Sequence, residues 1–204
     1  MTRTILASLA ILASLAACGS DRDPPCTIPG SGPGIDPSGA FCTNLSDYRL
    51  FDDVANQTPA DGLVPFELNT PLFADYTTKA RFVWLPPGTA MTWSDAGAFE
   101  LPVGAALIKT FGYLHDRRDP AAGQRLLETR LLIRGDDGWT GAAYGYADDQ
   151  RDATLKLAGE VVDASWIHDD GGERTNAYVV PNANQCKTCH EESGAAITPL
   201  GPKA

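Results

Sequence analysis

Nine short stretches between residues 60 and 180 are apolar or alternate apolar with polar residues, and turn-forming residues separate them. They read LVPFELN, RFVWL, AFEL, AALIKTFGYL, LLETRLLIR, GAAYGY, ATLKL, EVVDASWI and AYVV. A side-chain period of two suits half-buried strands, and no window here repeats apolar residues with the period of a long amphipathic helix. The breaks Pro86-Pro87-Gly88, Ser94-Asp95-Ala96-Gly97, Asp136-Asp137-Gly138 and Asp169-Asp170-Gly171-Gly172 supply preset or positive φ angles. The chain is therefore expected to be mainly β, an antiparallel β-sandwich or jelly-roll-like domain. Its bounds are placed at 45–180, because one short helix is expected at LSDYRLFDDV, capped by Ser46 or Asp47, with Leu45, Leu50 and Val54 turned inward.

The N-terminus follows another pattern. Arg3 precedes an apolar run from Ile5 to Ala17 that is too short for a stop-transfer helix, so residues 1–17 read as a secretory signal. Its end, Leu15-Ala16-Ala17-Cys18, resembles the bacterial lipobox, in which the cysteine is lipidated and becomes the new N-terminus; cleavage at an A-x-A-like site is the alternative. Acyl chains on Cys18, each contributing about 0.8 kcal/mol per buried CH₂, would hold the protein to a membrane without a spanning helix. Gly19, not Asp, follows Cys18, which by resemblance to Gram-negative sorting rules favours the outer membrane, facing the periplasm. Residues 18–44 are rich in Pro and Gly and are expected to form a tether. Within it Cys26 and Cys42 are expected to pair as a disulfide in an oxidising compartment, since so little there can be buried; two free thiols are the alternative.

The remaining two cysteines carry chemistry. Residues 186–190 read Cys-Lys-Thr-Cys-His, and with five Cys and three His in 204 residues such a string is expected by chance only about 0.002 times. Two sulfurs three positions apart reach the two vinyl groups on one edge of a haem, and the next residue, His190, is brought under the iron as proximal ligand. The expected cofactor is one covalent haem c on Cys186 and Cys189, within a short attachment segment spanning 181–204. Zinc would need a fourth donor, from His115 or His168. A thioredoxin-like CxxC would need a βαβ setting that this chain does not suggest. For the far side of the iron the candidates are Met91, His115 and His168, each also suited to a surface loop; a vacant position, or a ligand outside this chain, stands beside them.

Trp84, Trp93, Trp139, Trp166, Tyr144 and Tyr146 are expected to be core or strand-edge packing rather than a ligand platform. Lys109, Glu128, Arg130 and Arg134 are expected on a solvated outer face with cross-strand ion pairs. Loss of Arg3 with the leader makes the mature chain more acidic than the −10 of the whole sequence. That charge repels nucleic-acid phosphates and attracts a basic redox partner.

The strings LNTPLFADY, RFVWLP, LPVGAALIKTF, ETRLLIRGDDGW, PNANQCKTCH and TPLGPKA together resemble a bacterial family of secreted, poorly characterised proteins with a single c-type haem motif after a β-rich domain. The resemblance runs from about Leu45 to the last residue. It implies Cys186 and Cys189 as attachment points and His190 as iron ligand, and names no substrate. Proteins of that family continue beyond the segment that looks like GPKA, so by this likeness the chain is expected to be C-terminally truncated. The reading that follows is a c-type haem lipoprotein in periplasmic electron transfer, whose partner is a redox protein such as a basic or multihaem cytochrome. The alternatives are a haem enzyme or sensor with an open distal site, and a β-sandwich binding or assembly lipoprotein with a vestigial haem site.

Overall fold

The computed structural model describes residues 26–36, 38–95, 97–192 and 196–203. The expected leader and Cys18 lie outside these residues. Short strands β1 (Phe51–Asp53) and β2 (Thr58–Pro59) make a small ribbon. The main sheet is built from β3 (Leu63–Pro65), β4 (Thr78–Trp84), β5 (Ala106–Leu114), β6 (Gln124–Gly135), β7 (Gly138–Tyr146) and β8 (Ala153–Leu155), each antiparallel to its neighbour. A hairpin of β9 (Glu160–Ile167) and β10 (Glu173–Val180) lies apart from it. The helical turn α1 (Cys186–His190) follows, then β11 (Glu191–Glu192) and β12 (Ala196–Ile197), which extend the β7 edge through an Ile197–Trp139 pair. The chain is thus mainly β, and its paired strands are antiparallel.

Alternation along the central strands gives the main sheet two faces. On the first, Phe82, Trp84, Ile108, Leu131, Ile133 and Tyr144 pack against Leu45, Tyr48, Leu50 and Phe51 of the N-terminal segment. On the second, Phe111, Tyr113, Leu127 and Ala143 meet Trp166, Tyr178 and Val180 of the β9–β10 hairpin. Farther along that face, Val83, Leu107, Leu132 and Trp139 pack with Leu101 and Ala105. A register shift between Phe111 and Gly112 leaves Leu127 as an extra residue of β6, so Leu127 and Glu128 both turn to the second face.

Three expectations change. The helix expected over 45–54 is only a 3-10 turn, Leu45–Tyr48, because Arg49 adopts a left-handed conformation (φ 53°) and β1 begins at Phe51. Its cap is Asn44, whose N–H donates to the Asp47 carboxylate, while Ser46 donates to Asp152. AFEL, residues 98–101, forms no strand; it makes isolated bridges, Thr92 with Glu100 and Ala98 with Lys203.

The third change concerns the tether, because residues 26–44 belong to the domain instead. Ile35, Asp36 and Cys42 are buried, and Ile28 and Phe41 pack on the same core. Polar wiring replaces the missing hydrophobic period. The Arg49 guanidinium donates to the carbonyls of Ile28, Gly30 and Gly32, and the Asp36 carboxylate accepts from Ser38 and from the Thr27 amide. Burial acts to raise the Asp36 pKa, but these donors outweigh it and hold the carboxyl below its ordinary value.

Cys26 and Cys42 are joined as a disulfide, with Cα atoms 4.7 Å apart. Closing a 16-residue separation is worth about 3 kcal/mol through the unfolded chain. The Cys26→Ser/Cys42→Ser variant is expected to lose about that much in urea unfolding. A loss below about 1 kcal/mol would mean that the wiring around Arg49 and Asp36 orders this segment unaided.

The aromatic residues fall mostly where packing places them. Trp84, Trp166, Tyr144 and Tyr146 are buried, Trp139 is half-buried and Trp93 is exposed. Tyr144 donates to the Cys42 carbonyl and shares a hydrogen bond with Tyr48, so the phenols stitch the disulfide segment to β7. Burial pushes the Tyr146 phenol up to about 12.

Candidate cofactor site

The sequence folds locally around Asn182 and Gln185, which exchange side-chain and backbone hydrogen bonds: the Gln185 N–H donates to Asn182 Oδ1 (2.9 Å) and the Asn182 N–H to Gln185 Oε1 (2.8 Å). This reciprocal cap starts the turn that carries Cys186, Cys189 and His190. Cys186 and His190, four residues apart, share one side of α1 and are half-buried, whereas Cys189 is exposed. Both cysteines are free thiols.

The partly buried side lies on the second face of the sheet. Cys186 Sγ would stand 3.6 Å from a Cβ at Gly141 of β7, ordinary contact distance, so the thiol lies over that position of the sheet. Burial raises the Cys186 pKa; the Arg130 charge opposes that and Glu128 adds to it. The thiol is thus held in its neutral, S–H form. A cavity of about 360 Å³ beside it is lined by Trp139, Thr140, Gly141, Lys187 and Ile197.

His190 is oriented by a backbone contact. Its Nδ1 lies 3.0 Å from the Thr198 carbonyl oxygen, which can only accept, so Nδ1 carries the hydrogen and Nε2 keeps its lone pair. Burial lowers the His190 pKa, the Thr198 carbonyl partly offsets this, and the charges of Lys109 and Arg130 lower it further. A neutral imidazole with a fixed Nδ1–H is the form that binds a metal through Nε2. The Thr198 N–H also donates to the His190 carbonyl, which ties the tail after α1 back onto it.

Beside this turn lies a row of cations. Arg81 on β4, Lys109 on β5 and Arg130 on β6 are direct cross-strand partners on the second face. The expectation of a solvated face with cross-strand ion pairs is corrected here. Glu128 is fully buried, and it pairs with Arg130 of its own strand while accepting from the Tyr178 hydroxyl. Arg130 remains charged, because Glu128 outweighs the cost of burial. Arg134 is half-buried and donates to the Gly135 carbonyl. Periodicity along the strands shows that these residues share a face. The β9–β10 hairpin and the α1 segment that cover it come from distant sequence.

The three candidates for the far side of the iron separate. Met91 is half-buried and packs in the cluster of Val83, Leu107, Leu132 and Trp139, next to the Gly141 position under Cys186. His115 is exposed beyond the end of β5, six residues and about 20 Å of strand from Lys109. His168 sits near it, its ring 4.7 Å from that of Tyr76 and its Nδ1 enclosed without a hydrogen-bond partner. Ile167, one residue before His168, donates to the His115 carbonyl, so both histidines belong to the opposite end of the strand.

No protein-family model, curated protein or solved structure matches the chain. The donor set must be judged on its own chemistry. Among the described residues no three His, Cys, Asp or Glu side chains converge as a protein-only metal site requires. A c-type haem asks less: two thiols within one turn and one histidine whose Nε2 is free. Cys186, Cys189 and His190 fit that requirement.

Proposed function

We propose that this protein is an exported, lipid-anchored carrier of one covalent haem c that acts in periplasmic electron transfer. The observation that carries the reading is the Cys-x-x-Cys-His turn with His190 Nδ1 committed to Thr198 and two free thiols beside it. Attachment adds each S–H across a vinyl C=C, sulfur to one carbon and hydrogen to the other, with no net transfer of electrons. When bound, the haem supplies a one-electron iron couple. The chain would hold it through Cys186, Cys189 and the Nε2 of His190, whose ring Thr198 orients, with the sheet behind the Cys186 sulfur.

Exposure of Cys189 supports electron transfer, because a group held there would be open to an approaching partner. The acidic balance of the chain favours a basic partner, such as a multihaem cytochrome. Met91, which packs with Leu132 and Trp139 and not at the far end of the strand like His115 and His168, is the sixth ligand of this reading.

Produced alongside a cytochrome c maturation apparatus, the chain is expected to gain the mass of one haem and a Soret band that survive denaturation. An unmodified polypeptide without that band would overturn the reading. With Met91 in place, carbon monoxide is expected to bind the ferrous protein slowly; rapid binding would point to an open site. Cys18→Ala is expected to release the protein from membranes with haem content unchanged, and retained attachment would remove the lipid anchor from this account.

A further inference from the structure

The row Arg81, Lys109, Arg130 is poorly compensated for groups so enclosed. Arg81 is only 6% exposed, and its acidic partner, Glu67, is 3.6 Å away and 81% exposed. Among the described residues no acid lies within salt-bridge reach of Lys109; its ammonium lies 4.6 Å from the Phe111 ring centroid, and burial together with Arg81 and Arg130 pushes its pKa down to about 8. Arg130 has Glu128, yet its Nε is buried without a hydrogen-bond partner. Like charges directly opposite one another across strands are destabilising, and buried donors left unpaired cost free energy. In a chain of net charge −10, three adjacent cations that among the described residues share one buried acid, Glu128 beside Arg130, are ready for an anion.

Position narrows the choice of anion. Cys186 lies over Gly141 of β7, and the row begins on the adjacent strand β6. It then runs away from Cys186 over two strand spacings, about 10 Å, to Arg81. A haem tethered through its vinyl edge carries its two carboxylates on the opposite edge. We infer that Arg81, Lys109 and Arg130 form the receiving site for the two carboxylates of the haem that Cys186 and Cys189 tether. The inference rests on the haem reading above and adds to it the residues that fix the orientation of the macrocycle. Free dicarboxylates or phosphate share this chemistry, so the test must separate the two sources.

Lys109→Met removes the charge with little change of volume, and it is made both in the haem-loaded protein and in the full-length Cys186→Ala/Cys189→Ala chain. Without haem the variant relieves repulsion and is expected to raise the melting midpoint; with haem it leaves a carboxylate unpaired and is expected to lower it. A change of the same sign in both backgrounds overturns the inference. In the loaded protein, loss of a nearby cation also disfavours the ferrous state, by about tenfold in the redox equilibrium, or 59 mV for one electron. Lys109→Arg is expected to restore the parent potential, and a potential unmoved by Lys109→Met overturns the inference. Inorganic phosphate or glutarate is expected to stabilise the haem-free chain and not the loaded one. Equal stabilisation of both would make the row a site for a free anion and overturn the assignment to haem. Intact mass of the parent is read first: absence of covalent haem there defeats the underlying reading, whereas haem present with an unmoved potential defeats only this one.

Discussion

Cys186→Ala/Cys189→Ala is expected to abolish covalent haem completely while leaving the unfolding free energy of the β domain within about 1 kcal/mol of the unloaded parent. The thiols lie in a five-residue turn in which Cys186 is half-buried over Gly141 and Cys189 is exposed. Substitutions away from core, caps and buried networks usually change stability by only a few tenths of a kcal/mol. The reciprocal Asn182–Gln185 cap and the Thr198 contacts remain in the variant, so the turn itself is kept. Single variants refine the prediction. One remaining thioether still links the porphyrin, so Cys189→Ala is expected to give partial loading and Cys186→Ala less, because Cys186 is the sulfur backed by the sheet. His190→Ala is expected to alter the visible spectrum more than the amount attached. The measurements are intact mass, the pyridine haemochrome spectrum and urea unfolding. Full covalent loading of the double variant would mean that the attachment chemistry lies elsewhere in the chain.

The central strands were legible because each is a short apolar or alternating run that ends in residues that force a turn. The hairpin between β6 and β7 closes at Asp136-Asp137, where the sequence places a break. Legibility failed where order comes from single contacts. Residues 26–44 contain too few apolar side chains to show a period, yet a disulfide and the hydrogen bonds of Asp36 and Arg49 fold them onto the core. AFEL alternates like a strand, but its neighbours are a loop and the tail near Lys203, so only bridges form. The cysteine–histidine turn was legible as a motif. Its setting was not, because Arg81, Lys109 and Arg130 stand in three separate strands and align only once the register is known. A register drawn from the turns, with cations and acids marked on it, would have exposed a row with too few acids.

Glu128→Ala is expected to cost about 3–5 kcal/mol, because it removes the one acid on that face that is fully buried among the described residues. Its Oε1 accepts from both Arg130 and the Tyr178 hydroxyl, tying β6 to the β9–β10 hairpin. Alanine leaves the buried Tyr178 hydroxyl without its acceptor and strips the half-buried Arg130 of its paired charge, and it removes the charge that offsets the cation row. For a domain of this size the loss corresponds to a fall in melting midpoint of roughly 10 °C. Glu128→Gln keeps an acceptor for Tyr178 and a group of the same shape, so it is expected to lose less than Glu128→Ala. Glu128→Leu/Arg130→Met takes out both charges together and is expected to recover most of the loss, as buried ion pairs replaced by apolar groups commonly do. Thermal and urea unfolding of the three variants decide the matter. If Glu128→Ala and the double variant lose equally, the energy lies in packing around Tyr178 rather than in charge. Recovery in the double variant would identify the Arg130 charge as a stability cost that Glu128 offsets in the native fold.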